Sequence, residues 1–304
     1  MRETFNIGQE FERRKAYLPG GAAVAALRKQ GLEDFLLKGL PTAKTEGWRY
    51  ADLKRLDADS LPPAAARKTS AVAAVTDWPL AVASAAGVEL SQNIAGVSFT
   101  SAIETLKAKG PEGQTLFLPA AHDHPFDQLN RAFADQGFVL EIPPGKAVGG
   151  IEVVMSSAGL TGGARYVRNL IRLGAGASAN IFLRTASADR EGWLNVVSKI
   201  QLGAEAKLTL YMDFDSGPGV LLSSLLGVGI AERGRLSLCT LAGGLASLRH
   251  EVHASLEGEG SELLLTGGLM AAANEVAGTS ELRVVARAAR KIPDLAGLVC
   301  MRDA

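Results

Sequence analysis

The sequence predicts a mainly β fold, a parallel β-helix whose turns carry two strands each, behind a small helical N-terminal region. Three observations predict it. From Phe138 to about Met270 the chain is a succession of short Leu-rich or β-branched runs broken by Gly, among them FVLEI, IEVVM, RYVRNLIRL, NVVSKIQL and KLTLYM, which is strand composition. The corners between runs repeat: LGAGASA from Leu173, LGAEAKL from Leu202, IAERGRL from Ile230 and LEGEGSE from Leu256. The leading aliphatics stand 29, 28 and 26 residues apart, a period typical of stacked coils. Aromatic residues make up only 6% against 34 Gly, which suits a narrow interior of Leu, Val and Ile with tight corners. An antiparallel β-sandwich also accommodates such strand spacing and remains the rival; the repetition favours the coil.

Taken in order, residues 1–59 read as helical. Glu10 to Leu18 predicts one helix ended by Pro19-Gly20-Gly21, Ala22 to Gln30 a second broken by Gly31, and Leu32 to Lys38 a third stopped by Gly39-Leu40-Pro41. Residues 60–79 shift to Ala, Ser, Thr and Pro and read as a loosely packed linker. Residues 80–137 form a mixed entry segment, with a strand at Thr115 to Leu118 and helices at Ala102 to Lys109 and Phe126 to Asp135. Asp123 and Pro125 are the start signals of the last helix. Residues 138–275 form the β-helix core. Residues 276–304 are an atypical Ala/Arg-rich tail in which the strand pattern gives way.

Thirty-two basic residues balance thirty-two acidic ones, so no field draws nucleic acid or an anionic membrane. Cys239 and Cys300 form no CxxC pair, no apolar run is long enough to span a bilayer, and the first twenty residues lack a signal-peptide core. A soluble cytoplasmic protein is expected.

Few residues invite chemistry. His122-Asp123-His124 with Asp127 brings potential metal ligands together, but helix-start capping before Pro125 accounts for them better. In Arg249-His250-Glu251-Val252-His253 a strand sends His250 and His253 to opposite faces. Arg249, Glu251 and His253 then share one face, read as a polar ladder on the outer surface of the sheet, with a partner-binding patch as the functional alternative. Cys239 in LSLCTL reads as a small buried hydrophobe. Neither a nucleotide-binding glycine motif nor a nucleophile elbow is present, so no catalytic, cofactor-binding or metal residue is assigned.

The segment Gly39-Leu40-Pro41-Thr42-Ala43-Lys44-Thr45-Glu46-Gly47-Trp48-Arg49-Tyr50-Ala51-Asp52-Leu53 resembles a signature of SufD members of the SufB/SufD family of iron–sulfur cluster assembly proteins. Physically it is a helix stop followed by a Trp/Tyr anchor, with Glu46 placed to pair with Arg49. Leu129-Asn130-Arg131-Ala132-Phe133 with Gly137 is similar to the family's entry to the core. Arg249, Glu251, His253, Leu256, Gly258, Gly260 and Gly267 are similar to its later R-x-E-x-H stretch.

The resemblance implies a right-handed parallel β-helix in a non-catalytic scaffold subunit. It implies pairing with a SufB-like paralogue and a SufC-like ABC ATPase, no stably bound cofactor, and an iron–sulfur cluster held only transiently within the complex. It places the ATPase-binding segment and the proposed cluster ligands toward a C-terminus that the tail here does not match. A truncated or frame-shifted end is therefore expected, with Cys300 carrying no role. A β-helix enzyme acting on carbohydrate or a transferred group is the alternative.

Overall fold

The computed structural model describes residues 6–42, 44, 45, 48, 63, 72–84, 87–108, 110–156, 163–186, 192–215, 219–245, 247–270 and 280–288, the side chains of 269, 270 and 280–288 aside. Helix α1 (Ile7–Arg14) starts at Asn6, whose side chain accepts from the Gly8 and Gln9 amides. It therefore begins earlier than the apolar pattern predicted. Helix α2 (Ala22–Lys38) is continuous where two helices were expected. Gly31 does not break it: a Cβ there would lie 2.7 Å from the Gln128 carbonyl oxygen, so the missing side chain lets two helices cross closely. Gly39, at φ 70°, ends α2 as expected.

Strands β1 (Leu80–Ser84), β2 (Gly87–Leu90) and β3 (Ser98–Ser101) precede three helices, α3 (Ala102–Lys107), α4 (Pro111–Phe117) and α5 (Pro125–Phe133). A capping box of Ser101 and Glu104 starts α3. The strand expected at Thr115 to Leu118 is instead the end of α4: Pro111 opens that helix after Gly110, and Leu116 and Phe117 are the side chains it buries.

The remainder is strand: β4 (Phe138–Ile142), β5 (Ala147–Ser156), β6 (Ala164–Leu173), β7 (Ser178–Ala186), β8 (Gly192–Leu202), β9 (Lys207–Asp215), β10 (Val220–Ile230), β11 (Arg235–Gly243), β12 (Ser247–Leu256), β13 (Glu262–Met270) and β14 (Ser280–Ala288). They alternate between two seven-stranded sheets, ordered β13-β11-β9-β7-β5-β1-β2 and β14-β12-β10-β8-β6-β4-β3. From β4 onward the neighbours within each sheet are parallel, which makes the parallel β-solenoid that the repeat predicts and not a sandwich. Register follows the sequence repeat to the residue. Leu173 pairs with Leu202, Leu202 with Ile230, and Ile230 with Leu256. Alternate residues of both sheets meet inside in one Leu/Val/Ile core.

The corners owe their shape to one left-handed position per coil, occupied by Gly145, Gly176, Glu205, Arg233 and Gly260 at φ between 53° and 70°. Three are glycine, as that conformation favours. Glu205 and Arg233 pair with each other at 2.6 Å across adjacent coils. At the N-terminal end of the coil, β2 and β3 run antiparallel to β1 and β4, and Phe99 stacks on Phe138 at 5.1 Å.

The two sheets differ on their outer faces. Helices α2, α4 and α5 lie over one, which we term the covered sheet, and bury β6, β8 and β10 on both faces. On the other, the open sheet, residues 72–78 cross only the first strands. Glu152 of β5 accepts from the Val75 and Thr76 amides, the Thr76 hydroxyl and the Arg184 guanidinium. That part of the predicted linker is thus docked, because a buried carboxylate needs such donors; residues 60–62 and 64–71 lie outside those described.

Candidate functional site

Trp48, helix α5 and the Arg249 to His253 stretch, each part of a segment singled out in the sequence, meet at one place, the seam between the helical layer and the covered sheet. Pro125 fixes the start of α5, and the amphipathic PFDQLNRAF turns Phe126, Leu129, Asn130 and Phe133 toward the sheet. Asn130 donates to the carbonyl oxygens of Val167 (3.0 Å) and Asn195 (3.1 Å) and accepts from Arg168 (3.1 Å). Asn195 in turn donates to the Phe126 carbonyl at 3.1 Å. One amide therefore satisfies strand and helix together, which suits an Asn held at the start of the solenoid.

Arg168, fully buried in β6, pairs with Asp127 at 2.8 Å and donates to the carbonyls of Leu116 and Leu118. Burial lowers its basicity, and Asp127 works against that. Lys199 of β8 donates to the Thr115 carbonyl at 3.1 Å, and burial with the neighbouring Arg168 charge pushes its pKa down to about 8. The C-terminal carbonyls of α4 thus face two cations, the favourable end of the helix dipole.

At the far end of the seam stands Glu251 of β12. Its Oε1 accepts from Arg249 Nε at 2.6 Å and His124 Nε2 at 2.9 Å, and Oε2 lies 3.4 Å from His253 Nε2. Burial alone would raise the Glu251 carboxyl. The hydrogen bonds from His124 and His253, and the charge of Arg249, hold it well below the usual carboxylate range. The Trp48 ring lies under the Arg249 guanidinium at 3.7 Å and edge-on to Phe126 at 4.9 Å, so the anchor of the first motif closes over the last one.

Strand alternation does put Arg249, Glu251 and His253 on one face, but not on the outer surface: Arg249 and Glu251 are buried beneath His124 and Trp48. The helical layer covering that face was not legible in the strand itself. His250 points the other way, into the solenoid beside Phe214 and Thr240, and burial pushes its pKa down to about 4. His122 is exposed, and Asp123, at φ 59°, pairs with Lys38. His124, not Asp123, caps α5, its Nδ1 accepting from the Asp127 amide at 3.3 Å. Cys239 is half-buried on the outer face of the open sheet, not inside as expected. Strand alternation gives the interior positions of β11 to Leu236, Leu238, Thr240 and Ala242. Glu46, Arg49, Tyr50 and Cys300 lie outside the described residues.

Sequence reasoning missed Asp127 and Arg168 as a pair. The available signal was Arg168 in the middle of RYVRNLIRL, a charge at the centre of a strand otherwise apolar enough to be buried on both faces. Among the described residues no group of three or more His, Cys, Asp or Glu is placed to hold a metal. The crevice lined by His124, Asn195, Ser224, Arg249 and Glu251 leaves no room for a water-sized molecule. What the arrangement does is join: His124 bonded to the Glu251 carboxylate that Arg249 and His253 of its own strand also engage, and one asparagine between helix and strand, fasten the helical layer to the solenoid.

Residues 154–287, from the end of β5 into β14, match the family model described as SUF system FeS cluster assembly, SufBD core domain. The match supports the SufB/SufD family and involvement in iron–sulfur cluster assembly. It runs past Val276, where the strand pattern was expected to give way, and β14 pairs with β12 from Ser280 to Ala288 in continuous parallel register. SELRVVARA is therefore solenoid and not foreign tail. No curated protein matches the chain. No helix among the described residues is long and apolar enough to cross a membrane.

Proposed function

We propose that this chain is a SufD-type scaffold subunit of the iron–sulfur cluster assembly machinery, not an enzyme. The observation that carries the reading is the SufBD core match, which falls on the solenoid itself. The seam supports it: Trp48, helix α5 and the Arg249–Glu251–His253 stretch, each within a segment similar to the family, join the N-terminal layer to the coil. In this reading a solenoid whose coils stack in fixed register offers partners a rigid platform, and its task is to hold other subunits in place. The partners proposed are a SufB-like paralogue and a SufC-like ABC ATPase, in the cytoplasm. The chain binds no cofactor stably, and a nascent cluster is cargo of the assembled complex.

The test is co-purification of the chain with SufB-like and SufC-like candidates, followed by cluster absorbance after reconstitution with iron and sulfide. Stable capture of the SufB-like subunit, with cluster absorbance only in the complex, is the expected result. Failure to bind either candidate overturns the scaffold reading.

A further inference from the structure

His124 makes two bonds that constrain its protons. Its Nδ1 accepts from the Asp127 backbone amide, which can only donate, so Nδ1 carries no hydrogen. Its Nε2 lies 2.9 Å from Glu251 Oε1, and an ionised carboxylate can only accept, so Nε2 carries one. Both bonds exist together only in the neutral Nε2–H imidazole. We infer that His124 is a proton-sensitive cap, tying the first turn of α5 to strand β12 while neutral and releasing the α5 cap when protonated.

A second proton goes to Nδ1, the lone pair that receives the Asp127 amide, and leaves that amide without its acceptor. The bond to Glu251 survives, so protonation does not detach the ring from β12; it separates the two elements the ring had joined. The surrounding charges bear on that step. From β12, Glu251 favours the extra proton, while Arg249 and His253 oppose it. From the α5 side, Asp127 is committed to Arg168 of β6 and lies near Arg131, and Asp123 of the preceding loop, beside His122, is committed to Lys38 of α2. Glu251, the carboxylate in contact with the ring among the described residues, is already shared with the Arg249 guanidinium. Three of the four histidines of the chain, His124, His250 and His253, lie on or against β12, and Trp48, with its ring centroid 5.5 Å from that of His124, is a built-in reporter. The inference rests on this geometry alone and stands apart from the scaffold reading.

The test uses the full chain, labelled with 15N-histidine. At neutral pH the nitrogen shifts of His124 are expected to show the Nε2–H tautomer. On acidification, once the same nitrogen shifts report that His124 is protonated, exchange of the Asp127 amide is expected to accelerate about tenfold beyond its intrinsic pH dependence. His124→Asn retains a cap that does not titrate and should abolish that response, whereas His253→Asn should leave it in place. An Nδ1–H tautomer at neutral pH, or protonation of His124 without faster Asp127 exchange, overturns the proposal. So does a response that survives His124→Asn and vanishes in His253→Asn. If His124→Asn fails to fold, the tautomer of the unsubstituted chain decides by itself.

Discussion

The covered and open sheets are made by the same coils yet spell differently. Strand β8 of the covered sheet reads WLNVVSKIQL and is buried on both faces over most of its length. Strand β9 of the open sheet reads KLTLYMDFD and alternates strictly, with Lys207, Tyr211 and Asp215 exposed. A sheet packed on both sides has no face to leave polar, so its strands read as continuous apolar runs, and any charge inside them must find a partner in the layer above. The difference teaches where to look for meaning in such a strand. On the open sheet a charge is ordinary except for Glu152, which residues 72–78 cover; on the covered sheet Arg168, Lys199 and Glu251 each mark a point where the helical layer is fastened.

The sharpest way to break the comparison is to remove one partner of a covered charge. Asp127→Ala leaves Arg168 buried without its carboxylate and is expected to cost about 3–5 kcal/mol in urea unfolding at unchanged m-value. A cost below about 1 kcal/mol would mean that the seam is open to water.

Next is acid. His250 is neutral in the fold, with its pKa pushed down to about 4 by burial, while the unfolded chain takes up a proton near 6.5. Its contribution is fully present above pH 6.5 and is lost as pH falls toward 4, by up to the order of 3 kcal/mol, because the unfolded state then binds more protons. Stability measured between pH 7 and 4 should show that loss, and His250→Leu should flatten the same part of the curve.

The smallest effect belongs to the open face and is best measured as a pair. Leu225, on the outer side of β10 under Ala121, should cost about 2–5 kcal/mol when cut to Ala. Leu264, on the outer side of β13 and 59% exposed, should stay within about 0.5 kcal/mol. Equal costs would show that something covers β13 as well.

The coil itself was legible because its register is a repeat of aliphatics. Leu173, Leu202, Ile230 and Leu256 announce their pairing through spacing alone, and the corners announce themselves through Gly and small residues. The helical elements were read less well, each for a local reason. Gly31 looks like a stop and is a crossing point, and Thr115 to Leu118 looks like a strand and is the end of a helix begun by Pro111. The candidate site was legible as residues and not as a site. Trp48, Asn130 and Glu251 were singled out, but that Trp48 stacks on the Arg249 that pairs with Glu251, and that Asn130 bonds β6 and β8 along the same seam, follows from no spacing. Cys239 shows the same limit, since one position along a strand decides inside from outside.

By itself the sequence determined the coil, because parallel stacking at fixed register repeats the same short-range requirement in every turn: an aliphatic inside, a tight corner, an alternating strand. Only the tertiary structure decided which of two similar sheets would be roofed by helices, and so which charges would be buried. Burial of a charge depends on elements far away in the chain, 127 residues in the case of His124 and Glu251, and no local pattern encodes a contact at that separation.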